Sequence, residues 1–326
     1  MAKINKRLIE NIISLFTIKG LEYILAFITF PYLVRVLQVE NFGAVVFVQG
    51  IIQYFVLFTD YGFNLLGPKE IAQHDSIKER GKIFASIFCA KLILLLISTI
   101  VFICMLIGAK YINDIDITLY SVVYLMVIGN VIFPIWFFQG IQQMRYITIV
   151  NVIGRFLSVA CIFYFVKVPS DYILAGLFQA IVPLIAGICS WIILWKKYRE
   201  VFILPKFQSV KQVFIDAWEI FTSTIAINLY TASNIVFLGL LTNNTIVGYF
   251  SGAQKIIQNI NQLISPVTQA IYPYVSKTAS NSKNDALKFL RKIVLILGGG
   301  NFIGSVLIFV FAEWIVDILL GTGYEQ

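Results

Sequence analysis

Long apolar segments, separated by short polar interruptions, recur along almost the whole chain. A helix needs about 20 residues to cross a hydrocarbon core of about 30 Å. Nine segments reach this length, namely residues 12–37, 42–66, 83–109, 117–139, 147–167, 170–195, 217–241, 246–273 and 292–318. The pattern therefore predicts an all-α, polytopic membrane protein with nine transmembrane helices.

The second and eighth predicted helices begin with similar sequences. Residues 43–53 read GAVVFVQGIIQ and residues 248–258 read GYFSGAQKIIQ, which match at Gly, Gln, Ile, Ile and Gln without a gap. Each stretch follows an apolar helix and a short polar link, which we call an elbow. Internal repeats are common in transporters, so the pattern indicates two related lobes.

The longest polar interruption follows the sixth predicted helix. Within it, Phe207, Val210 and Phe214 recur at helical spacing against Lys206 and Lys211. This spacing predicts an amphipathic helix at the inner membrane surface. The predicted organisation is an N-terminal six-helix lobe at residues 1–195, a cytoplasmic amphipathic linker at 196–216, and a partial C-terminal lobe of three helices at 217–326.

Composition and charge support a membrane protein with a defined orientation. The chain is 59% hydrophobic and has a mean hydropathy of +0.85, which is too apolar for an ordinary soluble protein. With a cytoplasmic amino terminus, 18 basic residues lie inside, and only Arg35, Lys110 and Lys167 lie outside. The net charge of +8 is thus a matter of topology and attraction to membrane lipid, and nucleic acid is not an expected partner.

Residues suited to catalysis or metal binding are scattered. The single histidine, His74, lies in a charged loop, and the four cysteines stand alone in apolar helices. The sequence contains no phosphate-binding G-x-x-x-x-G-K-[ST] motif. We therefore expect no enzyme activity, no metal site and no cofactor other than a coupling H⁺ or Na⁺.

The motifs around the first elbow resemble those of a known family. They are FPYLVRVL at residues 30–37, NFG at 41–43, DYGF at 60–63 and PKEIA at 68–72. With the topology of the whole chain, they resemble the bacterial polysaccharide flippases of the O-antigen transporter type. These belong to the superfamily that also contains the drug and toxic compound extrusion proteins and the lipid II flippases.

The resemblance implies a two-lobe helical bundle of the drug and toxic compound extrusion type. Such a protein would lie in the bacterial inner membrane and move an undecaprenyl-diphosphate-linked oligosaccharide across it by alternating access. The glycan, an O-antigen or capsule repeat unit, would then pass to a polysaccharide polymerase and its assembly proteins, which are the expected partners.

The chain departs from the family pattern in two respects. Gln38 and Lys69 stand where the family often has glycine and arginine. Family members usually have about twelve helices, whereas nine are predicted here, so we expect an incomplete second lobe.

Four cations fall inside the predicted helices: Lys19, Lys91, Arg155 and Lys255. Charges at such depth usually face a cavity, pair with another charge or extend to the interface. The functional interpretation is a cationic cavity that attracts the diphosphate of a lipid-linked glycan. Each of them is also close enough to a helix end to reach the interface instead.

Amide side chains form a stripe along the eighth predicted helix. Gln254, Gln258 and Asn261 recur at helical spacing, and Gln49 and Gln53 are their repeat counterparts. Amides suit sugar hydroxyls, so we expect these five residues to line the substrate cavity with the four cations. Hydrogen bonding between helices is the alternative role.

Two acids are candidates for ion coupling, Glu22 and Asp60. Glu22 is favoured, although it lies three residues after Lys19 and could form an internal ion pair with it. Asp60 lies nearer the predicted interface.

Two other functions remain open at this point. A cation-coupled multidrug exporter would have a deep acid and an aromatic cavity. A membrane glycan polymerase or glycosyltransferase would need a large loop or a clustered acid and base, and a nonfunctional remnant is the third possibility.

Overall fold

The computed structural model describes the backbone of residues 6–112, 115–231, 233–258, 291, 298–299, 302 and 304–321. Side chains are described for residues 20, 24–111, 115–228, 233–258, 291, 298–299, 302 and 304–321. Within these ranges every regular secondary-structure element is a helix, as the sequence predicts.

Twelve α-helices of six residues or more follow one another along the described part of the chain, besides the two 3₁₀ helices Pro169–Asp171 and Arg199–Val201. They are α1 (Lys6–Asp60), α2 (Phe63–Ala72), α3 (Ile77–Ile112), α4 (Ile117–Ile132), α5 (Ile135–Gly140), α6 (Met144–Phe165), α7 (Tyr172–Lys197), α8 (Phe207–Thr231), α9 (Ser233–Leu241), α10 (244–258), α11 (304–310) and α12 (Ala312–Leu320).

The first elbow is a sharp break inside α1. Gln38 has φ 64° and ψ 170°, while helical residues continue on both sides of it. It divides α1 into α1a, residues 6–37, and α1b, residues 39–60. These two halves correspond to the first two predicted helices, although α1b ends at Asp60 and α2 takes up the residues that follow.

The fourth predicted helix is broken at Pro134. Proline supplies no backbone N–H, so the helix ends at Ile132 and a short helix, α5, restarts after the break. The indole Nε1 of Trp191 donates a hydrogen bond of 2.8 Å to the Ile132 carbonyl. A side chain from α7 thereby satisfies a carbonyl at the broken end of α4.

The end of the predicted linker and the start of the seventh predicted helix form one helix. α8 begins at Phe207, ten residues before the predicted start at 217, and continues to Thr231. Val210, which precedes that predicted start, and Ala217, which is that start, are both buried in the same cluster. The amphipathic segment is therefore the first part of a long helix, because its apolar side chains continue the buried face of the helix.

The second elbow is the short turn between α9 and α10. The Asn243 carboxamide oxygen accepts a hydrogen bond of 3.0 Å from the Ile246 backbone N–H. Asparagine is among the residues that best cap a helix start, since it satisfies an otherwise free backbone donor. The eighth predicted helix begins at this point and is described as far as Gln258.

Close helix packing holds the bundle together around α7, which packs against both α4 and α6. A Cβ on Gly129 of α4 would overlap the backbone nitrogen of Leu184, so the two helices touch through their backbones. On the other side of α7, Gly154 lies against the carbonyl of Val182. Small residues thus permit the contacts that stabilise helices in a membrane.

Five described segments are long and apolar enough to cross a membrane. They are Ile24–Ala72, Ile77–Tyr111, Ile117–Gly140, Met144–Phe165 and Pro169–Lys197. A sixth is possible if Phe207–Asn228 and Ser233–Leu241, which meet at a bend of 51°, form one span. The protein is a multi-pass membrane protein.

Candidate functional site

The main cavity has a volume of about 660 Å³ and lies between α1a, α1b, α6, α7 and α10. Its polar lining consists of Thr29, Gln49, Asn151, Arg155, Gln179, Lys255 and Gln258. Its apolar lining consists of Leu25, Ala26, Phe30, Leu33, Phe42, Val46, Val159, Val182 and Pro183. The cavity is therefore amphipathic and is formed by helices that are far apart in the sequence.

Two cations give the main cavity its charge. Arg155 of α6 and Lys255 of α10 both line it. No carboxylate occurs among the described lining residues, and neither cation forms an ion pair with any described acid. Like charges facing one cavity without a counter-ion favour the binding of an anion there.

Four predicted site residues come together in this cavity: Gln49, Arg155, Lys255 and Gln258. The two amides belong to α1b and α10, which are the helices of the internal repeat. Because they line the same cavity as the cations, they can form hydrogen bonds to phosphate oxygens or hydroxyl groups there. Gln254, on α10, is half-buried and lines neither this cavity nor the second one described below.

Three polar lining residues were missed by the sequence reasoning. Asn151 lies one turn before Arg155 on α6, a spacing that places both on one face of the helix. Gln179 is a polar residue within the apolar α7, where its Nε2 donates to the Ala175 carbonyl at 3.1 Å. Thr29 similarly donates to the Leu25 carbonyl at 2.6 Å. A search for isolated amides in each apolar helix would have found the first two.

A second cavity of about 280 Å³ lies farther along α1b, between α1b, α2, α3, α4 and α8. It contains three further predicted residues, Gln53, Asp60 and Lys91. Lys91 is only 2% exposed, and its Nζ donates to Asp60 Oδ1 at 3.1 Å.

The structure therefore places Lys91 in a different cavity from Arg155 and Lys255. Its position on α3 faces the end of α1b, where Asp60 supplies a negative charge. A buried ammonium requires such a partner because its desolvation is otherwise costly. Asp60 therefore forms an ion pair within the described part of the chain.

The remaining predicted residues lie outside the described residues. They are the side chains of Lys19 and Glu22, and all of Asn261.

The elbows contact each other directly beside the main cavity. A Cβ on Gly43 would overlap the Asn244 carbonyl oxygen and would lie 2.8 Å from the Gly248 nitrogen. A Cβ on Gly248 would in turn overlap the Val39 carbonyl oxygen. Gly43 and Gly248 are the first residues of the two repeat copies, so the two copies contact each other at this end of the molecule.

Two further hydrogen bonds join the halves of α1 to α9 and α12. The Tyr54 and Ser233 hydroxyls share a hydrogen bond of 2.8 Å between α1b and α9. At the elbow itself, the Arg35 guanidinium donates a hydrogen bond to the carbonyl of Ile318 in α12.

Comparisons with known proteins agree in their descriptions. Residues 8–279 match a family model described as polysaccharide biosynthesis protein. A relative from Escherichia coli strain K12, provisionally named O-antigen transporter, is 33% identical over 320 residues, covering 97% of this chain and 76% of the relative. A relative of the same name from Shigella dysenteriae is 29% identical over 309 residues, covering 91% and 76%. No solved structure matches the chain.

Proposed function

Because the chain belongs to the polysaccharide biosynthesis protein family, we propose that it is a flippase for an undecaprenyl-diphosphate-linked oligosaccharide. The observation that carries this proposal is the main cavity, in which Arg155 and Lys255 face the same space without a described carboxylate. The relatives are named as transporters, in agreement with a transport protein rather than an enzyme.

The cavity suits the chemistry of this substrate class. A diphosphate must lose much of its hydration to cross hydrocarbon, and an isolated charge in an apolar medium is very costly. Two cations and several amides replace part of that hydration with charge-assisted hydrogen bonds. The polyprenyl chain stays in the surrounding lipid while the polar group moves through the protein.

Alternating access between two lobes is part of the proposal. The first lobe comprises the six predicted helices up to residue 195, with α1a and α1b counted as two, and the second begins with α8. The elbow contacts between Gly43 and α10 support a gate at that end of the cavity. Opening this gate separates α1b from α10, which are the two helices that carry Gln49 and Lys255.

We place the protein in the inner membrane with its amino terminus in the cytoplasm, on the basis of its basic residues. The elbows then face the periplasm, where a polymerase and assembly proteins would receive the glycan. Coupling to H⁺ or Na⁺ is assigned to Glu22, because Asp60 already neutralises Lys91.

A drug exporter of the same superfamily is the second candidate. The relatives' names and the two cavity cations, which pair with no described acid, favour an anionic glycan lipid over a cationic drug. Drug efflux that disappears in Glu22→Gln would support the exporter instead.

The test is complementation in a bacterial host that lacks its own O-antigen flippase and carries the matching glycan assembly enzymes. The protein is expected to restore surface polysaccharide and to remove the lipid-linked intermediate that accumulates on the cytoplasmic side. Continued accumulation, with the protein verified in the membrane, would contradict the flippase assignment.

The cavity assignment is tested in the same host with Arg155→Gln, Lys255→Gln and the double variant. We expect the double variant to lower transport about tenfold or more, because each lost charge-assisted bond is worth about 1.5–3 kcal/mol. Arg145→Gln and Lys211→Gln are matched controls at exposed positions. Full activity of the double variant would exclude these cations from substrate binding.

A further inference from the structure

The second cavity lies one helical turn from the main cavity along α1b. Gln49 lines the main cavity and Gln53 lines the second, so the two residues share one face of the helix and are about 6 Å apart along its axis. Seven polar residues dominate the lining of the second cavity: Gln53, Thr59, Asp60, Asn64, Lys91, Asn130 and Asn228.

The asparagines offer acceptor oxygens to the second cavity. The Nδ2 groups of Asn130 and Asn228 donate to the carbonyls of Met126 and Thr224, at 2.8 and 2.9 Å respectively. Each of the two amides then still has its side-chain oxygen as a hydrogen-bond acceptor. The Oδ1 atom of Asn64 is buried without a hydrogen-bond partner among the described residues, and a buried acceptor of this kind costs free energy unless a ligand or water satisfies it.

Lys91 and Asp60 add donors and acceptors without adding net charge. The ammonium has three N–H groups, of which one points to Asp60 Oδ1. The carboxylate can accept more than that one bond. A further cation in this space would face the ammonium, and a further anion would face the carboxylate, so the cavity suits a neutral ligand with several hydroxyl groups.

The volume suits one sugar ring. Pockets for drug-sized ligands measure about 300–1,000 Å³, and the second cavity, at about 280 Å³, lies just below that range. A hydroxyl both donates and accepts hydrogen bonds, which matches a lining that mixes amides with an ion pair.

We propose that the second cavity binds the sugar attached directly to the diphosphate, while the main cavity holds the diphosphate itself. This inference rests on the proposed function, because it assumes that the main cavity takes the diphosphate. The short distance along α1b agrees with the direct bond between the two parts of the substrate. The cavity also joins α8 to α1–α4, so a bound sugar touches both proposed lobes.

Binding measurements with two probes test this subsite. The purified protein in lipid nanodiscs is titrated with undecaprenyl diphosphate and with undecaprenyl diphosphate bearing one N-acetylglucosamine. We expect the sugar-bearing lipid to bind about three- to tenfold more tightly, the gain expected from one or two net hydrogen bonds. Asn130→Leu and, independently, Asn228→Leu should abolish this gain and leave the affinity for undecaprenyl diphosphate unchanged.

Two further variants distinguish the contribution of each cavity to lipid binding. Arg155→Gln should weaken binding of both lipids by the same factor, and Gln212→Leu, at an exposed position of α8, should change neither. The two asparagines lie on different helices. If one variant fails to fold, the other variant still tests the subsite.

Three other outcomes would contradict the sugar subsite, and one of them would also contradict the proposed function. Equal binding of the two lipids by the parent protein, or an equal loss for both lipids in the asparagine variants, would refute the sugar subsite and leave the flippase proposal intact. Binding of neither lipid by the parent would refute both proposals.

Discussion

At the scale of single residues, Gln38 has an unfavourable backbone conformation. Its φ of 64° and ψ of 170° lie in a region that is populated almost entirely by glycine. A side chain in this region costs about 1–3 kcal/mol.

We therefore expect Gln38→Gly to stabilise the protein. Relief of the strain outweighs the greater chain entropy that glycine has when unfolded, for a net gain of about 1 kcal/mol. Unfolding by SDS in mixed micelles measures the change. Gln212→Gly, within α8, is the control and should lose about 1 kcal/mol; destabilisation by Gln38→Gly would contradict the strain argument.

At the scale of helices, the two elbow glycines determine how closely α1b approaches α10. Gly43 touches the Asn244 carbonyl and Gly248 touches the Val39 carbonyl, so neither position has room for a Cβ. Gly239 of α9 likewise accommodates the ring of Phe47. Three glycines thus allow the second half of α1 to pack tightly against α9 and α10.

We expect Gly43→Leu to keep the elbow end from closing, because its side chain would overlap the backbone of α10. A cysteine at Gln49, in a background with the four native cysteines replaced by alanine, reports on access to the main cavity. In intact cells, Gly43→Leu should speed labelling of this cysteine by a membrane-impermeant maleimide at least several-fold, and should lower transport.

Gly108→Leu is the control for this experiment, since no described atom lies within 4 Å of a Cβ at that exposed position. An unchanged labelling rate in Gly43→Leu would show that these elbow contacts do not gate the cavity.

At the scale of the whole molecule, the two ends of the bundle differ in charge and in structure. The connection between α7 and α8 is basic and contains Arg199 and Lys206, whereas the elbow after α9 is uncharged. Leu204 is 93% exposed in that basic connection, and Thr242 is exposed in the elbow. These two positions report on opposite sides of the membrane if the proposed orientation is correct.

We expect Thr242→Cys to react with an impermeant thiol reagent in intact cells and Leu204→Cys to react only after the membrane is permeabilised. The physical reason is retention of basic segments on the cytoplasmic side. Both variants are made in the background that lacks the native cysteines. The reverse labelling pattern would invert the orientation and with it the assignment of the elbow end to the periplasm.

The local sequence pattern determined the class and many of the elements. Apolar length predicted the membrane helices, because a helix in lipid satisfies its own backbone hydrogen bonds, and the all-helical architecture was confirmed. The motifs from Phe30 to Ala72 indicated the polysaccharide transporter family, and the family match confirmed it. The repeat also identified α1b and α10 as related helices, which the structure places in contact.

Only the tertiary structure decided which polar groups share a space. Arg155 and Lys255 are a hundred residues apart and meet in one cavity, whereas Lys91 instead pairs with Asp60. Helical periodicity states which face of a helix a residue occupies, but it does not state which neighbouring helix that face meets. For a buried charge, that neighbour determines whether it forms an internal ion pair or remains available to an anionic substrate.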